Sequence, residues 1–128
     1  MDWLDTVSSS LLSKDLDGLW VRQQAISDNM ANYETPGYKT KKVSFEDKLR
    51  EQLGSESKTD AADVAGIESV TPVTTEESGE TLRADGNGVD LEQQMIDMAR
   101  TSTNYSYSLR QMDDYFARLN TAITGNVK

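Results

Sequence analysis

Residues 91–124 read LEQQMIDMARTSTNYSYSLRQMDDYFARLNTAIT, and their spacing decides the fold. Leu91, Met95, Met98, Ser102, Tyr105, Leu109, Met112, Phe116, Leu119 and Ile123 follow one another at alternating intervals of four and three. On an α-helix that alternation lays all ten along one stripe, the heptad seam of a coiled coil, with Ser102 its one polar member. Asp90 suits an N-cap and Gly125 a stop. A helix of about 34 residues runs about 50 Å, too long a rod to fold against itself in a small globule.

The N-terminal segment repeats the pattern. Leu12, Leu16, Leu19, Gln23, Ile26, Met30 and Tyr33 show the same alternation, with Ser10 or Ser13 as candidate caps. This helix has to stop near Glu34, because Pro36 pushes Thr35 out of the α region. Pro36-Gly37 suits the centre of a type II turn. Tyr38 to Ser44 reads as extended chain, and Phe45 to Leu53 as a short helix capped by Ser44, with Phe45, Leu49 and Leu53 on one face. Residues 54–63 read as polar and flexible. Residues 64–75 alternate loosely through Val64, Ile67, Val70 and Val73, which suggests one or two short strands with Pro72 at an edge. Thr74 to Asn87 reads as acidic loop. The expected fold is mainly α: long N- and C-terminal helices forming an antiparallel coiled-coil hairpin, with a short, partly β or irregular middle. As one structural unit, it divides into an N-terminal helix (1–35), a turn, extended segment and short helix (36–53), an acidic middle (54–87) and a C-terminal helix (88–128).

Composition narrows the function. The 128 residues include no cysteine and no histidine, which removes disulfide scaffolds, zinc fingers, His-ligated metals and Ser-His-Asp or Cys-His catalysis. The net charge of −9 opposes nonspecific nucleic-acid binding, since phosphates repel it. Residues 54–87 carry −6 of that charge and none of the nine aromatic side chains. Only 36% of residues are hydrophobic, a low share for a chain that folds alone. Asp2 and Asp5 stand where a signal peptide has positive charge, and no apolar stretch reaches membrane-spanning length. The expectation is a chain that stays in the cytosol or leaves it without a cleaved signal, with no membrane insertion.

Two further features bear on partners and chemistry. The C-terminal helix outruns its partner by about ten residues, and Ile96, Tyr107 and Tyr115 lie off its seam, as Trp20 and Val21 do on the first helix. Two apolar strips per helix suit a helix with more than one neighbour, so self-association through the terminal helices is expected. Asp85-Gly86-Asn87-Gly88-Val89-Asp90 resembles the start of a calcium loop, but such a loop needs an oxygen ligand at its fifth position, glycine at its sixth and glutamate at its twelfth, and Val89, Asp90 and Ile96 stand there, so a turn before a helix cap is the better reading. The carboxylate pairs Glu76-Glu77 and Asp113-Asp114 read as solvated charge, and no Gly-rich phosphate loop occurs. No enzyme, catalytic residue, metal or cofactor is expected.

Asn29-Met30-Ala31-Asn32-Tyr33-Glu34-Thr35-Pro36-Gly37-Tyr38 resembles the Asn-x-Ala-Asn-x-x-Thr-Pro-Gly-Tyr signature of the bacterial flagellar rod and hook proteins. It sits at the end of the N-terminal helix, where that family has it. Gly86-Asn87-Gly88-Val89-Asp90-Leu91-Glu92, followed by Met95, Met98, Ala99 and Tyr105, resembles the short members that build the proximal rod, as do Arg22-Gln23-Gln24 and the ending Leu119 to Gly125. The likeness covers residues 11–53 and 86–125. Met30, Tyr33 and Glu34 depart from the commoner residues at their positions without altering the helix or the turn.

The resemblance implies a structural subunit of the flagellar basal-body rod. Such a subunit is exported unfolded by the flagellar type III system and assembled helically through its terminal helices into the axial tube. Its implied partners are other copies of itself, other rod and basal-body proteins and, during secretion, the export gate. Asn29, Ala31, Asn32, Thr35, Pro36, Gly37 and Tyr38 are the implied signature turn. Phe45 and Leu49 fit the family's gate-recognition pattern of Phe-x-x-x-apolar, and equally fit a short amphipathic helix docked on the hairpin. The expected helix-packing residues are Leu12, Leu16, Leu19, Ile26 and Met30 on one helix, with the nine apolar seam members on the other. A cytosolic type III export chaperone, an unrelated coiled-coil adaptor and another short rod protein are the alternative readings.

Overall fold

A computed structural model describes residues 6–54, 60–77 and 83–125. The chain order is α1 (Val7–Ala31), β1 (Lys41–Ser44), α2 (Glu46–Leu53), α3 (Asp60–Glu68), β2 (Val73–Glu76) and α4 (Leu91–Thr124). The long terminal helices are antiparallel neighbours. Asn29 meets Gln94, Asp15 meets Ser108 and Thr6 meets Tyr115 across them. At 1.5 Å per residue α1 is about 37 Å long and α4 about 51 Å. The last turns of α4 therefore run on past Thr6, the first described residue.

The interface between the two helices differs from the expected seam. Gln94, Thr101 and Ser108 are the buried residues of α4, one heptad apart, and Tyr115 continues their row half-buried. Met98, Tyr105, Met112 and Leu119 form the adjacent half-buried row. Met95, Leu109, Phe116 and Ile123, expected in the seam, are exposed at 57%, 45%, 52% and 63%. Two stripes thus share the Met98–Leu119 row, one turned to α1 and one to solvent. Small and polar side chains at 101 and 108 leave room for α1, so the larger apolar row is displaced outward. On α1, Leu19 and Ile26 are buried, and Leu12, Leu16 and Met30 are half-buried.

Local chemistry sets the element ends. Thr6, rather than Ser10 or Ser13, caps α1, because it forms a reciprocal capping box with Ser9. The Asp90 carboxylate accepts from Gln93 N–H at 3.2 Å to start α4, which ends on a left-handed Gly125. Phe45, not Ser44, takes the N-cap position of α2, since Ser44 is already paired with Val73 in the sheet. The sheet is a two-stranded antiparallel pair in register from Lys41 opposite Glu76 to Ser44 opposite Val73.

The middle segment departs most from expectation. Residues 60–68, part of which reads as strand from alternation, form α3 instead, and strand is confined to β2. Val64 and Ile67, three apart, bury one face of α3, and Ile67 and Val70 join the core cluster. Of the expected flexible stretch 54–63, residues 55–59 lie outside the described residues, and 60–63 belong to α3 instead. The core is Leu19, Ala25, Val43, Phe45, Leu49, Ile67 and Val70, so α1, β1, α2 and α3 converge on one small centre beside the hairpin. Among the described residues no helix is long and apolar enough to cross a membrane.

Candidate functional site

The signature segment folds at the C-terminal end of α1. Helical hydrogen bonding ends at Asn32, whose N–H donates to Asp28 O, and Thr35-Pro36-Gly37-Tyr38 then turns the chain. Tyr38 N–H donates to Thr35 O at 3.3 Å, and Gly37 has φ 71°, the left-handed value that the second central position of a type II turn demands. The Thr35 hydroxyl donates to Asn32 Oδ1 at 3.1 Å, holding the turn's entry. Ala31, Thr35, Pro36 and Gly37 are exposed, whereas Asn29 is wholly buried.

Asn29 joins three elements through its one amide. Its Nδ2 donates to Lys41 O at 2.8 Å and Gln94 Oε1 at 2.9 Å. Its Oδ1 accepts from Lys41 N–H at 2.9 Å and from the Tyr38 hydroxyl at 3.3 Å. These bonds use the full capacity of a carboxamide, so its burial leaves nothing unpaired. The amide fastens the first residue of β1 and the first turns of α4 to the last turn of α1. Burial pushes the Tyr38 phenol pKa up. A hydrogen bond to Asp28, 3.0 Å away, raises the Lys41 ammonium.

A second carboxamide closes the turn from the other end of the chain. Asn87 is also wholly buried, and its Nδ2 lies 3.0, 3.0 and 2.7 Å from the carbonyls of Asn32, Tyr33 and Thr35. Asn32 is the C-cap of α1, and Tyr33 and Thr35 belong to the turn after it, so one amide gathers the chain as it leaves the helix. Asn87 Oδ1 accepts from Val89 N–H at 2.7 Å. Around it the two loops exchange backbone bonds: Gly37 N–H donates to Asp85 O at 3.0 Å, and Gly88 N–H to Tyr38 O at 3.1 Å. The buried Thr40 hydroxyl donates to Gly88 O at 2.8 Å. Arg83 adds a hydrogen bond to Tyr33 O at 3.0 Å and lays its guanidinium 4.8 Å from the Tyr33 ring centroid. α1 itself stops at Ala31, short of Glu34, with Asn32 as its C-cap.

Phe45 and Leu49 lie in the core, at 1% and 5% exposure. Arg22 sits over the Phe45 ring at 4.9 Å and donates to Val43 O and to the Glu46 carboxylate. Burial would raise the Glu46 pKa, but the Arg22 hydrogen bond and nearby backbone N–H groups bring it below the usual carboxylate value.

The structure therefore brings the signature residues and the 83–90 segment together, and places Phe45 and Leu49 in a separate centre. Asn87 and Gln94 are structural contributors that spacing alone does not single out, because each acts through a partner distant in sequence. Among the described residues no group of carboxylates converges as a metal site. The groove between α1, β1 and α4 holds Arg22, Lys41, Lys42 and Arg100, but Glu46, Asp28 and Glu77 pair the first three. The contacts of Asn29 and Asn87 fasten the two loops to the ends of α1 and α4.

No protein-family model matches the chain. It is similar to the flagellar basal body rod protein FlgB of Bacillus subtilis, 33% identical over 108 residues that cover 82% of this chain and 84% of that protein. FlgB of Borreliella burgdorferi is 30% identical over 117 residues, covering 82% and 87%. FlgB of Aeromonas hydrophila is 30% identical over 109 residues, covering 81% and 83%.

Proposed function

The chain belongs to the flagellar basal body rod proteins, among their FlgB-like members, and from that premise we propose that it enters the rod unfolded and is held there by its terminal helices. It is a structural component of the basal-body rod. The observation that carries the assembly reading is the outer stripe of α4. Met95, Leu109, Phe116 and Ile123 are each at least 45% exposed and lie at multiples of seven residues. A straight apolar row of that length suits another helix, either from a second copy or from another rod protein. Covering it offsets the ordering cost that a chain with so small a core cannot meet alone.

Export comes first. A chain with no disulfide and a small core unfolds readily for passage through a narrow channel. In this reading the flagellar type III gate recognises Phe45 and Leu49. Because both are buried once the chain folds, recognition belongs to the unfolded chain and core packing follows it.

The test is complementation of a strain lacking the gene with a Leu109→Asp, Phe116→Asp double variant, followed by fractionation. The expected result is a subunit that is secreted yet absent from purified basal bodies, in non-motile cells. Normal incorporation and swimming would remove the outer stripe from the assembly.

A further inference from the structure

Asn87 precedes Gly88, and no other asparagine of the chain precedes a glycine. An Asn–Gly step is especially open to intramolecular deamidation, since glycine carries no side chain to hinder its own nitrogen's attack. In the fold both reacting groups are engaged. The leaving Nδ2 is held by the carbonyls of Asn32, Tyr33 and Thr35, Oδ1 by Val89 N–H, and the nucleophilic Gly88 N–H by Tyr38 O.

We propose that Asn87–Gly88 is a self-modification site, silenced by the folded clamp and active in the unfolded chain. The Gly88 nitrogen gives its proton to solvent base and attacks Asn87 Cγ. The N–Cγ bond forms, the Cγ–Nδ2 bond breaks, and the amide leaves as ammonia after taking up a proton. Water then opens the resulting five-membered imide at either carbonyl, giving aspartate or isoaspartate with no oxidant or reductant. The product has lost the N–H groups that faced the three carbonyls. It sets a carboxylate against them instead, in a wholly buried position. A chain that stays unfolded too long thereby loses the means to close the turn at the end of α1.

The full chain is incubated at mildly alkaline pH, once in urea and once in buffer with trimethylamine oxide, which favours the compact state. Peptide mapping in oxygen-18 water reads the conversion. In urea, Asn87 is expected to convert ahead of Asn29, Asn32, Asn104, Asn120 and Asn126. In the compact state it converts at least about tenfold more slowly, because reaction requires local opening. Gly88→Ala slows the reaction in urea, where no fold is at stake. Asn87→Asp, like the converted fraction, melts below the unmodified chain. Conversion in urea no faster than at the other asparagines, or equal rates in the two solvents, would overturn the proposal.

Discussion

Gly18 lies directly under the ring of Phe45: a Cβ placed on it would come within 2.6 Å of three ring carbons. The absence of a side chain in the middle of α1 is what lets Phe45 reach the core. Helix propensity opposes a glycine there by roughly 1 kcal/mol relative to alanine, so Gly18→Ala gains locally. Overpacking a closed core costs about 1–3 kcal/mol, and the ring has Leu19, Ala25 and Ile67 around it. The steric term wins, and Gly18→Ala is expected to lower stability by about 1–2 kcal/mol in urea unfolding. Adding Phe45→Leu should recover part of that loss. A more stable single variant would show that the ring shifts freely.

Asn29 and Gln94 test whether the hairpin is fastened by polar contacts. Asn29→Ala strands the Lys41 backbone groups and Gln94 Oε1 in a buried place, at a cost of about 2–4 kcal/mol. Gln94→Ala removes one partner and should cost about 1–2 kcal/mol. The double variant is expected to fall short of the sum by about 1 kcal/mol, as residues in one network do. Additive losses in the double-mutant cycle would mean that the two amides act independently.

The Arg22–Glu46 pair predicts a pH dependence. Guanidinium nitrogens approach both carboxylate oxygens, at 2.6 and 2.7 Å. The Glu46 pKa is lower folded than unfolded. Its stabilisation is therefore complete above the ordinary carboxylate range and is lost as pH falls through the depressed folded value. With the Glu46 side chain 45% exposed, screening limits the pair to about 0.5–1 kcal/mol. Melting curves of Glu46→Gln should start lower at neutral pH and decline less steeply between about pH 5 and pH 3. Parallel declines in the two chains would place the acid sensitivity elsewhere.

Helical periodicity is local, so the four–three spacing located both long helices, and Asp90 and Gly125 marked the ends of the second. Which stripe faces inward was not legible. Hydrophobicity favours the Met95–Ile123 row, but contact with α1 goes to Thr101 and Ser108, whose advantage is size, and to Gln94, which accepts from Asn29. Val64, Ile67, Val70 and Val73 read equally as strand or helix. Docking on α1 and α2 chose helix for the first two, and pairing with β1 chose strand for the last. The turn at Pro36-Gly37 was legible because proline and glycine act on their own dihedrals. The clamp was not, since Asn87 reaches carbonyls 52 to 55 residues away.

On the proposed export-and-assembly reading, substitutions at Gly37 and Pro36 are expected to separate the two steps. At φ 71° a valine meets both the left-handed penalty and the crowding of a branched Cβ, together about 2 kcal/mol or more. The strain falls on the residue whose N–H donates to Asp85 O, so it also loosens the neighbouring loop. Pro36→Ala loses only the pre-set φ, about 0.4–1 kcal/mol, chiefly by freeing the unfolded chain. An unfolded chain in transit has no turn to strain. Gly37→Val is therefore expected to be secreted at near the normal level while its share in basal bodies falls sharply. Pro36→Ala should show a milder fall, and Gly37→Asn, which tolerates the left-handed region, should retain most incorporation. Immunoblots of culture supernatant and purified basal bodies measure the two steps separately. Equal swimming for Gly37→Val and the unaltered chain would mean that rod assembly does not need this turn.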